Sequence, residues 1–203
     1  MRYVKILSSI IVLTFLFNSL PYCEDVDSLK YVRKDYTGSS SWSDVDKDCQ
    51  NTRAEVLIEE SISGIIGFRG KAPCVVDSGM WLDRYTGKIV SKARSLDIDH
   101  VVALEDAHRS GAKYWSPEEK RKYANFLEDP RHLMAVSLSE NRRKGSRGPE
   151  EYLPPNKAFH KEYCRMYTSI KLRFNLTSDS KQLLFLQKMF SDEPYMILPK
   201  LRE

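Results

Sequence analysis

The sequence predicts a mixed α+β domain in which two strands and a short following helix form the core and further helices wrap it. Three observations predict this class. Short apolar runs bounded by turn residues recur from position 74 onward, as strands do. The stretch 96–104 alternates and then runs apolar, and 133–138 is apolar throughout, so both read as buried strands. Beyond position 156 the apolar period becomes that of amphipathic helices.

The elements follow in order. Residues 24–48 are polar, rich in Ser and Asp, and read as irregular. Asn51 can cap a helix through about Ser63, with Ala54, Leu57, Ile58, Ile62 and Ile65 on one face. Cys74–Val76 and Met80–Leu82 read as short strands. The turn Asp83–Gly87 then leads into Ile89 and Val90, so a hairpin is expected. SPEE at 116–119 combines a Ser cap, Pro at the first helical position and Glu at the third, a capping box that opens a helix to about Phe126. A short helix is expected near Ser139, a helical turn at 149–153, a long helix over 156–174 and another over 180–190. Tyr163, Tyr167, Ile170 and Phe174 share helical spacing and read as core rather than as base-stacking platforms.

Composition bounds the class. Apolar residues make up 41% and charged residues 30% of the 203 residues, ordinary values for one globular domain. The first 23 residues read as an export signal: Arg2 and Lys5, then an apolar run over 6–17, then Asn18, Ser19 and Pro21. The run is short for a membrane span, which needs about 20 apolar residues. An uncleaved anchor is the alternative. Cys23 fits a lipid anchor poorly, because Tyr22 stands where a small residue is expected. The expected division is a signal peptide over 1–23 and one domain over 24–203, with its core at about 74–156 and C-terminal helices over 157–203. The product should be secreted or periplasmic, with no membrane span once the signal is removed.

Without Arg2 and Lys5, the 32 basic residues become 30 against 28 acidic, so the mature charge is near +2. This says little about partners. The run NRRKGSR at 141–147 says more, since clustered cations suit phosphate contacts as well as solvated faces. The cysteines are Cys23, Cys49, Cys74 and Cys164. Export makes a disulfide plausible, and Cys49–Cys74 is the expected pair; buried thiols are the alternative.

Three segments carry the chemistry: DIDHVVAL at 97–104, PRHL at 130–133 and NRRKG at 141–145. Phosphodiester hydrolysis needs a group that takes a proton from water near neutral pH, and a neutral imidazole does that. It also needs charge neutralised on the phosphoryl and leaving oxygens, which a hard divalent cation supplies. Mg²⁺ keeps several waters, so one carboxylate and one amide oxygen suffice as protein ligands. Asp99 and Asn141 fit those roles, and Arg142, Arg143 and Lys144 fit flanking phosphates.

The ordered set of Asp-His on a strand, a second strand, and Asn-Arg-x-Lys-Gly on a helix resembles the core of HNH nucleases, also called ββα-metal or His-Me finger enzymes. Further segments, DCQNTRAEVL at 48–57, Trp115, YAN at 123–125, Asp129-Pro130 and LPPN at 153–156, resemble exported bacterial and fungal HNH-family proteins. These are related to the C-terminal nuclease domain of modification-dependent restriction enzymes. The resemblance spans about 42–175. It implies that His100 is the general base, that Asp99 and Asn141 hold Mg²⁺ or Mn²⁺, and that DNA or RNA is cut to leave a 5′-phosphate. Arg53 is a further candidate for substrate binding, with structural pairing the alternative. Glu55 reads as structural.

The pattern departs from the family at His132, where HNH proteins carry an Asn that braces the loop bearing the catalytic His. A His can still donate a hydrogen bond there. This departure keeps a second reading open: an inactive nucleic-acid- or surface-binding protein on the same fold. A hydrolase of another ester is a third. The bland alternatives are a core histidine at His100, a salt-bridge partner at Asp99 and a helix cap at Asn141. Strict strand alternation puts Asp99 and His100 on opposite faces and Asp97 beside Asp99, making Asp97 a reserve ligand. His108 reads as solvent-facing and His160 as a surface or packing residue.

Overall fold

The computed structural model describes residues 29–39 and 42–202. The predicted signal sequence and Cys23 lie outside them. The strands are β1 (Gly67–Phe68), β2 (Val76–Asp83), β3 (Lys88–Lys92), β4 (Leu96–His100) and β5 (Leu133–Ser137). The helices are α1 (Arg33–Thr37), α2 (Thr52–Glu59), α3 (Leu104–Arg109), α4 (Pro117–Ala124), α5 (Leu138–Lys144), α6 (His160–Arg173) and α7 (Ser180–Met189). The fold is mixed α+β with two small antiparallel sheets, β1-β2-β3 and β4-β5.

The β4–β5 pair organises the molecule. Its register sets Asp99 opposite Met134 and His100 opposite Leu133. Along β5, Leu133 and Ala135 enter one apolar cluster with Ala54, Leu57 and Trp81, while Met134 and Val136 enter another with Tyr123, Tyr163 and Ile170. A strand buried on both faces has no polar face to show, which explains the uninterrupted apolar run. β4 gives Leu96 and Ile98 to the first cluster and no residue to the second. Asp97 and Asp99 face the other side, where α5 packs directly after β5.

The local chemistry follows the sequence closely. Asn51 caps α2 by accepting from the Ala54 amide, and Ser116 and Glu119 form the full capping box of α4. Asp83 accepts from the Tyr85 amide and from the Thr86 hydroxyl, and its carbonyl accepts from Gly87, whose φ of +73° completes the β2–β3 turn. Cys49 and Cys74 are bonded, as expected.

Several expectations need correction. α2 stops at Glu59, short of Ser63, because the chain then turns so that the Ile62 amide bonds Met80 of β2; Ile62 and Ile65 are 56% and 77% exposed. The two short strands at 74–82 are one strand, β2. The strand at 96 ends at His100, and α3 takes over at Leu104. The region 24–48 is not wholly irregular, since α1 packs on α3 and α4. No helix of the described residues is long and apolar enough to cross a membrane.

Candidate active site

His100 ends β4 with its imidazole buried. Its Nε2 lies 2.9 Å from the Ala124 carbonyl at the end of α4. A carbonyl only accepts, so Nε2 carries the hydrogen and Nδ1 carries the lone pair. Trp42 stacks on one face of the ring, with centroids 5.5 Å apart and planes 12° from parallel. Burial holds the His100 pKa well below its ordinary 6.5, and the His132 ring pushes it the same way. The ring is therefore a neutral base at neutral pH.

His132 is fully buried and repeats the arrangement one residue earlier, with Nε2 2.7 Å from the Tyr123 carbonyl. Burial pushes its pKa down to about 4. The His132 carbonyl accepts from the Val101 amide at 3.0 Å, so its backbone also holds the chain just past His100. Nδ1 of His132 is buried without a partner.

Asp99 is buried on the α5 side. Its Oδ1 accepts from Lys144 Nζ at 2.9 Å and its Oδ2 from the Tyr85 hydroxyl at 2.5 Å. Burial raises the Asp99 pKa, opposed by the Lys144 charge and by both hydrogen bonds. Asn141, on the last turns of α5, donates from Nδ2 to Asp97 Oδ2 at 3.2 Å, which leaves its Oδ1 to accept. Ser137 occupies the N-cap of α5, so Asn141 is not a cap. Asp99, His100 and Asn141 all line one cleft of about 310 Å³, together with Tyr31, Arg33 and Glu105. Alternation along β4 is kept, and the shared cleft at the strand end is what brings Asp99 and His100 to one place.

The predicted phosphate contacts divide. Arg142 and Arg143 are exposed and neither lines the cleft, with Glu140 3.7 Å from Arg143. Lys144 is 0% exposed and spends its ammonium on Asp99 and the His100 carbonyl, so its assignment to substrate is corrected: it is a structural cation. Arg53 is likewise corrected. Its guanidinium donates to the Ala93 and Leu96 carbonyls, both at 2.9 Å, and so clamps α2 to the entry of β4. His108 is buried rather than solvent-facing, and His160 donates to the Pro154 carbonyl as a packing residue.

Tyr85, Trp42, Tyr31 and Arg33 were missed as site residues. Each reaches the site from a distant stretch of chain, and none sits in a motif whose local pattern marks it.

Asp99 and Asn141 offer hard oxygen donors beside a neutral imidazole, a set that suits Mg²⁺ or Mn²⁺. The one group of three mutually close metal-ligating side chains among the described residues lies elsewhere: Asp44, Asp46 and Asp48, exposed in the loop before α2.

No family model matches the chain, and no solved structure matches it. An uncharacterized secreted protein of Arthroderma benhamiae is 33% identical over 150 residues, which is 74% of this chain and 71% of the relative. The export-signal pattern, the Cys49–Cys74 bond and this kinship make the chain a secreted protein. At that identity and coverage, the chain belongs to the same family as the secreted fungal protein.

Proposed function

We propose that this secreted chain is a metal-dependent endonuclease of the HNH type, hydrolysing phosphodiester bonds of DNA or RNA. The observation that carries this is the tautomer of His100. Its Nε2–H is fixed on the Ala124 carbonyl, so the Nδ1 lone pair is left free on a ring that lines one cleft with the Asp99 carboxylate and the Asn141 amide. The order β4, β5, α5 supports the same reading, because a strand pair followed by a helix is the element order that the resemblance implies.

In this reading Nδ1 of His100 takes the proton from water as its oxygen attacks phosphorus. Burial keeps the ring unprotonated at neutral pH. The Ala124 carbonyl accepts from the same imidazole and keeps it oriented as the ring becomes cationic. Asp99 and Asn141 would hold the divalent cation, which supplies neutralisation of charge on the phosphoryl and leaving oxygens. Tyr85 and Lys144 fix the Asp99 carboxylate, one donor on each oxygen. Arg142 and Arg143 can contact the flanking phosphates through their exposed guanidinium groups.

The test is nicking of supercoiled plasmid by the mature chain with Mg²⁺ or Mn²⁺, with chelator, and with His100→Ala. Cleavage that needs metal and disappears in the variant supports the enzyme and its base together. Plasmid, single-stranded DNA and RNA all left intact under every metal would overturn the reading.

One observation favours the inactive binding protein instead. Lys144 already offsets the Asp99 charge, and both carboxylate oxygens already accept hydrogen bonds. A metal that binds only the folded chain raises its melting midpoint. A midpoint that does not move at high metal supports that second reading.

A further inference from the structure

We propose that Arg33, carried by the segment ahead of the strand–helix core, is a phosphate-binding residue of the His100 cleft. This rests on the nuclease reading and adds to it a residue outside the motifs. Arg33 is exposed, lines the same cleft as Asp99, His100 and Asn141, and is the one cation among the described residues that line it. Other charges nearby are matched to each other: Lys144 with Asp99, and Arg109 with Glu105. Those pairs leave the Arg33 guanidinium, which touches the Tyr31 hydroxyl, with no carboxylate partner among the described residues, and so with charge to offer an anion.

The segment that bears Arg33 is anchored. Tyr36, on the same short helix, is fully buried, and its hydroxyl lies 3.0 Å from His108 Nδ1. His108 Nε2 lies 2.8 Å from the Leu29 carbonyl, which can only accept, so Nδ1 is the acceptor for the Tyr36 hydroxyl. α1 packs on α4, and α4 supplies the carbonyl that orients His100. The guanidinium and the imidazole are thus referenced to one helix, and the backbone under Arg33 is ordered before substrate arrives. A guanidinium fork matches two phosphate oxygens at once, which an ammonium does not.

The experiment uses the mature full chain, with Arg33→Ala, Arg33→Lys and, as a control on the same helix, Lys34→Ala. Cleavage is measured as kcat/KM on duplex DNA. Binding of a fluorescein-labelled duplex is measured in a His100→Ala background over a range of salt. Arg33→Ala is expected to weaken binding about tenfold or more and to lower the salt slope by about one. Arg33→Lys should recover part of the loss, and Lys34→Ala should stay within about twofold of the parent. If Arg33→Ala lowers the melting midpoint, Arg33→Gln, which keeps the stem as far as Cδ and removes the charge, replaces it. Wild-type cleavage with unchanged binding and salt slope in Arg33→Ala overturns the Arg33 proposal alone. An equal loss in Lys34→Ala also overturns it, since charge and not position would then matter. Binding that depends on Arg33 in a chain that cleaves nothing upholds the phosphate contact and overturns the nuclease reading.

Discussion

His100 and His132 donate to adjacent carbonyls at the end of α4, His100 to Ala124 at 2.9 Å and His132 to Tyr123 at 2.7 Å. Their rings stand nearly perpendicular, with centroids 5.5 Å apart. The second bond holds the helix end that orients the first ring. His132→Ala should remove that brace and leave a buried cavity, costing about 2–4 kcal/mol of stability and lowering any cleavage with it. His132→Gln, whose amide nitrogen lies about as far from the backbone as Nε2, can still donate to Tyr123 and should keep both. Denaturant midpoints and plasmid nicking check this; an alanine variant with full activity would remove His132 from the support of the site.

The same residue makes a pH prediction. Its folded pKa of about 4 lies below the ordinary 6.5. Its stabilising share is therefore full above 6.5 and is lost as pH falls through 4, on the order of 3 kcal/mol in all. His100 shifts in the same direction, so His132→Gln should flatten the acid slope without abolishing it. Melting midpoints between pH 7 and 4 read this directly.

Glu60 has the opposite sign. Its carboxylate accepts from the Ala135 amide at 2.9 Å, yet burial pushes its pKa up to about 7. A raised carboxyl binds its proton more tightly when folded, so stability is full below about 4.5 and falls as pH climbs through 7. Glu60→Gln keeps the acceptor and removes the charge. It should melt higher than wild type at pH 8, by an amount on the order of 1–3 kcal/mol, with the difference vanishing near pH 4. A difference from wild type that is the same at both pH values would show that burial does not raise the Glu60 pKa.

Removing the cation from Asp99 should be severe. Lys144→Met leaves a buried carboxylate without its ion pair and should cost about 3–5 kcal/mol. Adding Asp99→Asn should recover much of that loss, because the stranded charge is gone. Urea unfolding of the two single variants and the double variant checks this. Strict additivity would mean that the two groups do not interact.

The Cys49–Cys74 bond closes a separation of 25 residues and should contribute about 3 kcal/mol. The Cys49→Ser, Cys74→Ser double variant should unfold at correspondingly lower urea. Cys164 is buried, with its thiol pushed up to about 12, so it should stay unreactive toward thiol reagents until the chain unfolds.

Local chemistry made much of this fold legible. The caps at Asn51 and Ser116, the turn at Asp83–Gly87 and the doubly buried run of β5 each carry their own signature within a few residues. The end of α2 was not legible, because Ile62 continues the helical period while its amide is claimed by Met80, a partner outside any local window. The site divides in the same way. His100, Asp99 and Asn141 stand in ordered motifs, but the fates of Lys144 and Arg53 depend on carbonyls and carboxylates that only folding brings near. A basic run looks alike whether its lysine points outward or inward. Tyr36 and His108, 72 residues apart, are joined by a bond that neither neighbourhood announces.

The buried ammonium of Lys144 also fixes α5 in register. Sliding a helix by one residue moves it about 1.5 Å and turns it about 100°. Such a slip would carry Nζ away from both Asp99 and the His100 carbonyl and strand a charge in the interior. Asn141 sits one turn before Lys144 on the same helix, so the pin that holds Lys144 also fixes where the Asn141 amide stands relative to Asp99. The placement of the Asn141 amide relative to Asp99 is thereby set by the interior of the fold and not by the surface of α5.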